Sequence, residues 1–179
     1  EGDAILIDNL RFIISQLNPT TRLGFYECPH PYKRLLTAEV IDYLLLTGRF
    51  DFIKDTSCQI GMIRARLRQI AGSTIRLYNA NAATLLDSLL AGAAGYSGVM
   101  LNFIPEVFSV LKRYLADENE TGDWPPLQHN VRSAGVFADL ITVASVYENQ
   151  KYPVNAKHYL KMKGLVDCTR TRSVASDTL

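Results

Sequence analysis

The chain has 179 residues, 47% of them hydrophobic and 21% charged, a balance that excludes disordered and fibrous classes and fits a globular protein. A formal net charge of +1, from 19 basic and 18 acidic residues, supplies no field to draw in nucleic acid, a membrane surface or another polyanion. Cys28, Cys58 and Cys168 lack framework spacing, which suits free thiols in a reducing compartment. No apolar run reaches bilayer length and no signal-peptide pattern opens the chain, so a cytoplasmic protein is expected.

Apolar positions at helical spacing predict a helix over roughly 4–17, ended by Asn18-Pro19. The run RLGFYE (22–27) reads as a strand and leads into a loop rich in Pro and His. TAEVIDYLLLT (37–47) is helical, with Thr37 placed to cap it, and Gly48 and the strand FDFIK follow. QIGMIRARLRQIA (59–71) is helical, then come Gly72 and the strand TIRLYNA. AATLLDSLLA (82–91) is helical, then come Gly92 and the strand-like GYSGVML. Gly48, Gly72 and Gly92 lie 24 and then 20 residues apart, each suited to the left-handed position that ends a helix. PEVFSVLKRYLA (105–116) is a further helix, and the polar segment ADENETGDWPP breaks the pattern. Helices over roughly 127–149 and 154–163 follow without strands, and the tail DCTRTRSVASDTL has no periodicity.

Helix alternating with short apolar strand gives α/β architecture with a parallel sheet. The ladder has four βα units. It divides the chain into 1–122 and a helical extension with its tail, 123–179. Four parallel strands form either an open doubly wound sheet or half of an eight-stranded barrel, and a whole barrel needs about 250 residues.

Either architecture puts its active site at the C-terminal ends of the strands. Lys54 stands at that end of FDFIK, and Tyr26 at that end of the preceding strand. A lysine held in an apolar pocket loses its proton more readily. Its neutral amine condenses with a ketone or aldehyde to a Schiff base, and a nearby phenol can shuttle protons to the intermediates. The plain alternative is a lysine that snorkels to solvent or pairs with an acid, with Asp55 next in sequence. Tyr26 can likewise be a packed aromatic with a satisfied hydroxyl.

FYECP on one strand, FIKDTS on the next and GAAGYSG opening a fourth resemble the C-terminal half of the dihydrodipicolinate synthase and N-acetylneuraminate lyase family. The resemblance runs from about residue 4 to about 166 and includes KYPVNAKHYLKMKGL (151–165). It implies a (β/α)8 barrel with a C-terminal helical extension, of which this chain resembles strands five to eight. It implies class I aldolase, lyase or dehydratase chemistry on pyruvate or another 2-keto acid, with no metal or organic cofactor. Tyr26 with Pro29 matches the family's Y-x-x-P proton relay, and Lys54 with Thr56 matches its Schiff-base motif. A homo-oligomer is also implied. The family's first four βα units supply the hydroxyls that hold the keto-acid carboxylate and a second tyrosine that crosses a subunit interface. Those units are not in this sequence, so it is a piece of a longer enzyme, an incomplete product, or a chain whose barrel another chain completes.

The specificity positions depart from both best-known branches. Pro31 stands where the synthase branch has a carboxylate-gripping arginine, and a flexible Lys33 is a poor substitute. Ala82 and Ala83 replace the Asp–Glu pair of the sialic-acid branch, and Val99 replaces a serine. Neither classical activity is expected. Carbon–carbon cleavage, dehydration of a 2-keto-3-deoxy sugar acid, and non-catalytic keto-acid binding or a structural role all remain open.

Further substrate-binding candidates are Thr56, Asn79, Asn81 and Ser97. Thr56 can equally cap a helix, the asparagines can satisfy their own turn, and Ser97 is placed to use its backbone. Gly92, Gly95 and Gly98 lead into a strand rather than a helix N-terminus, so they do not form a phosphate loop. Arg64, Arg66 and Arg68 read as a solvated outer helix face. Cys28 and His30 do not make a metal site, although His30 stays a candidate substrate contact. His129, His158 and Trp124 read as structural residues of the extension.

Overall fold

The structure is a computed structural model that describes residues 2–116 and 131–172. Trp124, His129 and the last part of the tail therefore lie outside the described residues. The chain forms two compact units, Glu1–Ser97 and Gly98–Leu179.

The first unit carries the ladder. Helix α1 (Asp3–Gln16) precedes strand β1 (Leu23–Tyr26), α2 (Ala38–Thr47), β2 (Phe50–Asp55), α3 (Ile60–Gln69), β3 (Arg76–Asn79), α4 (Leu85–Leu90) and β4 (Gly95–Tyr96). The strands make one parallel sheet in the order β1-β2-β3-β4, with no reversal point. The expected punctuation holds. Thr37 Oγ1 accepts from the Val40 amide at 3.3 Å and caps α2. Gly48, at φ 63°, ends α2 in the left-handed conformation that costs a side-chain-bearing residue most.

Alternation along the strands separates two sheet faces. Ile53 and Leu77 point to the helices and join Val40, Ile41, Leu44 and Ile63 in the core, all at most 1% exposed. Burial of such side chains stabilises by about 1.5–3 kcal/mol each. Gly24, Tyr26, Phe52, Lys54 and Tyr78 occupy the alternate positions. On that face Tyr26 is 46% and Phe52 42% exposed, where parallel sheets are usually covered.

The expected fourth strand is shorter than GYSGVML. Pairing to β3 ends at the hydrogen bond from the Ser97 amide to Asn79 O, 2.8 Å. The chain then turns into a 3-10 helix over Val99–Asn102. A short apolar run carries no periodicity that separates these outcomes.

The second unit contains that 3-10 turn, α5 (Pro105–Leu115), α6 (Val131–Ser145) and α7 (Val154–Met162). Phe108, Leu111, Ala134, Ala138 and Ile141 are buried in it, and Tyr114 stacks on Phe137 with centroids 5.6 Å apart. No described helix is long and apolar enough to cross a membrane.

Candidate functional site

The register assembles the site. Tyr26 pairs with Lys54 across β1 and β2, Lys54 with Tyr78 across β2 and β3, and Tyr78 with Gly95 across β3 and β4. Register partners in a parallel sheet point the same way, so one row crosses the open face near the strands' C-terminal ends. Phe52 meets Tyr78 edge-on, with ring centroids 6.1 Å apart at 89°. A cavity of about 310 Å³ lies over this row, lined by Phe52, Lys54, Tyr78, Tyr96 and Ser97.

Lys54 Nζ sits 4.2 Å from the centroid of the Tyr26 ring. The contact is with the π face, which attracts a cation without supplying a counter-charge. Among the described residues no carboxylate lies within ion-pair distance of Lys54. Burial holds the Lys54 amine below the ordinary lysine value, partly offset by the charge of Cys28. Burial, with a hydrogen bond to Cys28, moves the Tyr26 phenol up. An amine with a loosened proton thus lies beside a phenol that keeps its own.

Asp55, the obvious partner for Lys54 in sequence, is committed elsewhere. It is fully buried on the helix side of the sheet. Its Oδ1 accepts from the Ser57 amide at 2.8 Å and hydroxyl at 2.7 Å, and its Oδ2 accepts from Arg66 Nη1. Glu27 joins them. Its Oε1 accepts from Arg66 Nη2 at 2.6 Å and from the Leu36 amide at 2.6 Å. Its Oε2 accepts from Arg66 Nη1 at 3.1 Å and from the Thr56 amide at 2.8 Å.

The expectation of a solvated basic face is therefore corrected for Arg66, which is 3% exposed and bound to two carboxylates. Arg64 and Arg68 are exposed. Helical geometry of ~100° per residue carried the signal. Positions 64 and 68 share a face, while 66 falls among Ile63, Leu67 and Ile70. Glu27 was missed altogether, although strand alternation sends it away from Tyr26 and toward the helices.

The remaining candidates divide. Ser97 lines the cavity with Lys54. Thr56 is buried, and its hydroxyl donates to Glu27 O at 2.8 Å. Asn79 is fully buried, and its Nδ2 donates to Thr84 Oγ1 at 2.9 Å and Ser88 Oγ at 3.0 Å. Asn81 caps the 3-10 turn over Ala82–Thr84 by accepting from the Thr84 amide. None of these three side chains is in the cavity lining. His30 is exposed, and its carbonyl accepts from Cys28 Sγ at 3.1 Å. Cys28, which the sequence offered as a free thiol and rejected as a metal ligand, is the thiol that meets Tyr26 and influences Lys54. Among the described residues no group of His, Cys, Asp and Glu could hold a metal ion.

The second unit has its own cavity of about 470 Å³, walled by Met100, Phe103, Tyr147 and Glu148 among others. It contains none of the residues singled out from sequence.

No family model matches the sequence, and no curated protein does. Solved structures match the fold. A prophage protein of the dihydrodipicolinic acid synthase family from E. coli K12, in complex with pyruvate, superposes with a TM-score of 0.74 at 18% identity, over 96% of this chain and 55% of that one. Dihydrodipicolinate synthase from Cyanidioschyzon merolae with lysine bound gives 0.71 at 19%, over 98% and 58%. A 2-keto 3-deoxygluconate aldolase from Picrophilus torridus gives 0.70 at 17%, over 93% and 56%. The chain spans about half the length of these (β/α)8 proteins. The resemblance read from FYECP and FIKDTS is thus matched in three dimensions: the described sheet and helices share the fold of part of a dihydrodipicolinate synthase family protein.

Proposed function

We propose that the chain carries the imine-forming part of a lyase or aldolase that acts on pyruvate or another 2-keto acid. The observation that carries this reading is the seating of Lys54 Nζ on the Tyr26 ring, half-buried and with no carboxylate partner among the described residues. The complex of a structural neighbour with pyruvate and the aldolase named among the neighbours add support.

In this reading the neutral Lys54 amine attacks the ketone carbon. As the C–N bond forms, the carbonyl oxygen takes a proton and the attacking nitrogen gives one up, which leaves a neutral carbinolamine. Loss of water, with a proton delivered to the departing hydroxyl, leaves the protonated imine. Tyr26 is the proton carrier in both steps, since its ring lies against the amine and its burial favours the protonated phenol. The iminium then accepts the electron pair released when a bond at the neighbouring carbon breaks, so no separate electron sink is needed. Phe52, Tyr78 and Tyr96 line the pocket and give it an apolar wall beside the amine.

A second reading rests on Pro31, Ala82, Ala83 and Val99, which stand at positions where a second substrate would be gripped; it is keto-acid binding without turnover.

The test is reduction with borohydride in the presence of pyruvate, on the protein at its full natural length, followed by peptide mass analysis. The reading requires a covalent adduct on Lys54 that Lys54→Ala abolishes. An unmodified Lys54 peptide overturns it, and keto-acid binding without an adduct moves the assignment to the second reading.

A further inference from the structure

We infer that Arg66, with Glu27 and Asp55, is a positioning device that holds Tyr26 and Lys54 in contact from the opposite side of the sheet; this rests on the Proposed function only for what the pair reacts with. The three side chains are 3%, 1% and 0% exposed. Glu27 follows Tyr26 directly and Asp55 follows Lys54 directly. Because successive strand residues face opposite ways, each carboxylate stands one residue beyond a paired side chain and on the other face of the sheet, where it is held by Arg66 and by the Leu36, Thr56 or Ser57 amide.

Arg66 bridges the two carboxylates with Nη1 and returns Nη2 to Glu27, a planar fork that fixes distance and angle together. Nη2 also donates to Leu36 O at 2.8 Å, so the far end of the loop after β1 is held by the same group. Glu27 Oε2 and Glu27 O meet the Thr56 amide and hydroxyl, which ties β1 to the turn beyond β2. The device therefore reaches both strand ends, the loop and α3.

Stability alone does not account for it. One guanidinium serves two carboxyl groups in the interior, and among the described residues Arg66 Nε is buried without a hydrogen-bond partner. Buried ion networks often stabilise no better than apolar packing of the same volume. What apolar packing lacks is direction. A reacting pair misplaced by about 1 Å can lose roughly 10²-fold in rate, and a rigid fork between the two strand ends guards against such a slip.

The experiment reads the placement of Lys54 in two ways. Competitive labelling with fluorodinitrobenzene against pH reports the environment of the amine whatever its substrate is. Reductive trapping with pyruvate reports imine formation. The groups that face Lys54 are Tyr26, Tyr78, Tyr96 and Cys28, and all stay in every variant. Arg66→Lys keeps the charge and loses the fork. The triple variant Glu27→Gln, Asp55→Asn, Arg66→Met keeps volume without buried charge and serves if the single variant does not fold. Ile41→Val, in the core and without a hydrogen bond to the network, controls for loss of stability.

In folded Arg66→Lys or the triple variant, the labelling midpoint of Lys54 should rise toward that of an ordinary lysine. Trapping should slow at least about tenfold, while Ile41→Val moves neither. Unchanged midpoint and trapping in both network variants overturn the inference. If wild-type Lys54 shows a lowered midpoint but is never trapped, the lyase reading fails, and the labelling comparison alone decides the positioning role.

Discussion

Lys54 is held against a ring rather than an acid, and this sets how it should respond to pH. Burial lowers its pKa from 10.5. The free amine, the nucleophile of the proposed reaction, therefore grows in at lower pH than on an exposed lysine. Trapping by pyruvate should climb with pH to a plateau whose midpoint lies below 10.5. Tyr26 is shifted the other way, up from 10.0, by its burial and its hydrogen bond to Cys28. A pH–rate profile of single-turnover trapping checks both limbs; a midpoint at or above the ordinary lysine value removes the desolvated amine from the account. The folded state binds this proton less tightly than the unfolded chain, so the shift opposes folding below the folded-state pKa and ceases to do so above the unfolded one. The Lys54–Tyr26 pairing was legible because both residues end apolar strands. The destination of Asp55 was not, since sequence adjacency to a lysine conceals that neighbouring strand residues face opposite ways.

Among the elements, α2 shows most directly how sequence punctuation becomes structure. Thr37 Oγ1 accepts from the Val40 amide and donates to Asp3 Oδ2 at 2.7 Å, so one side chain starts α2 and ties it to α1. The hydrogen bond from Thr37, followed by the one from Arg34, holds the Asp3 carboxyl below its ordinary 3.8. Thr37→Ala should cost about 1 kcal/mol in urea denaturation. In the same variant the Asp3 titration followed by NMR should move back up; an unmoved Asp3 would mean that Arg34 alone sets it. Thr37 and Gly48 were readable because capping chemistry is local. The Arg66 network spans 39 residues from Glu27 to Arg66, and no local pattern announces a contact of that range. The end of β4 at Tyr96 was unreadable for another reason: Val99, Met100 and Leu101 suit a strand and a tight helical turn equally.

On the scale of the whole molecule, the sheet is parallel yet one of its faces carries half-exposed Tyr26 and Phe52. Among the described residues β1 and β4 also pair on one side only. Open strand edges and uncovered aromatic surface both favour association. The 179-residue chain alone should self-associate in sedimentation velocity, with a concentration-dependent shift that Phe52→Lys weakens. A sharp monomer boundary at every concentration would show that this face is satisfied within the chain. The parallel α/β ladder could be read from the order of the helices and strands, because the repeat is set by turn residues and apolar runs, but the likeness to part of a (β/α)8 protein came from FYECP, FIKDTS and GAAGYSG standing in order on it. The specificity of the pocket could not, because Asn79 and Asn81 spend their polar groups on their own turn.

The two sheet faces divide labour in a way that bears on how such a pocket changes over time. Tyr78, Tyr96 and Ser97 shape the cavity, whereas Glu27, Asp55 and Arg66 lie behind the strands. In the proposed site, substitutions on the front face change which molecule is accepted while the network behind the sheet stays the same. A scaffold organised this way tolerates new recognition without having to reinvent its reactive centre.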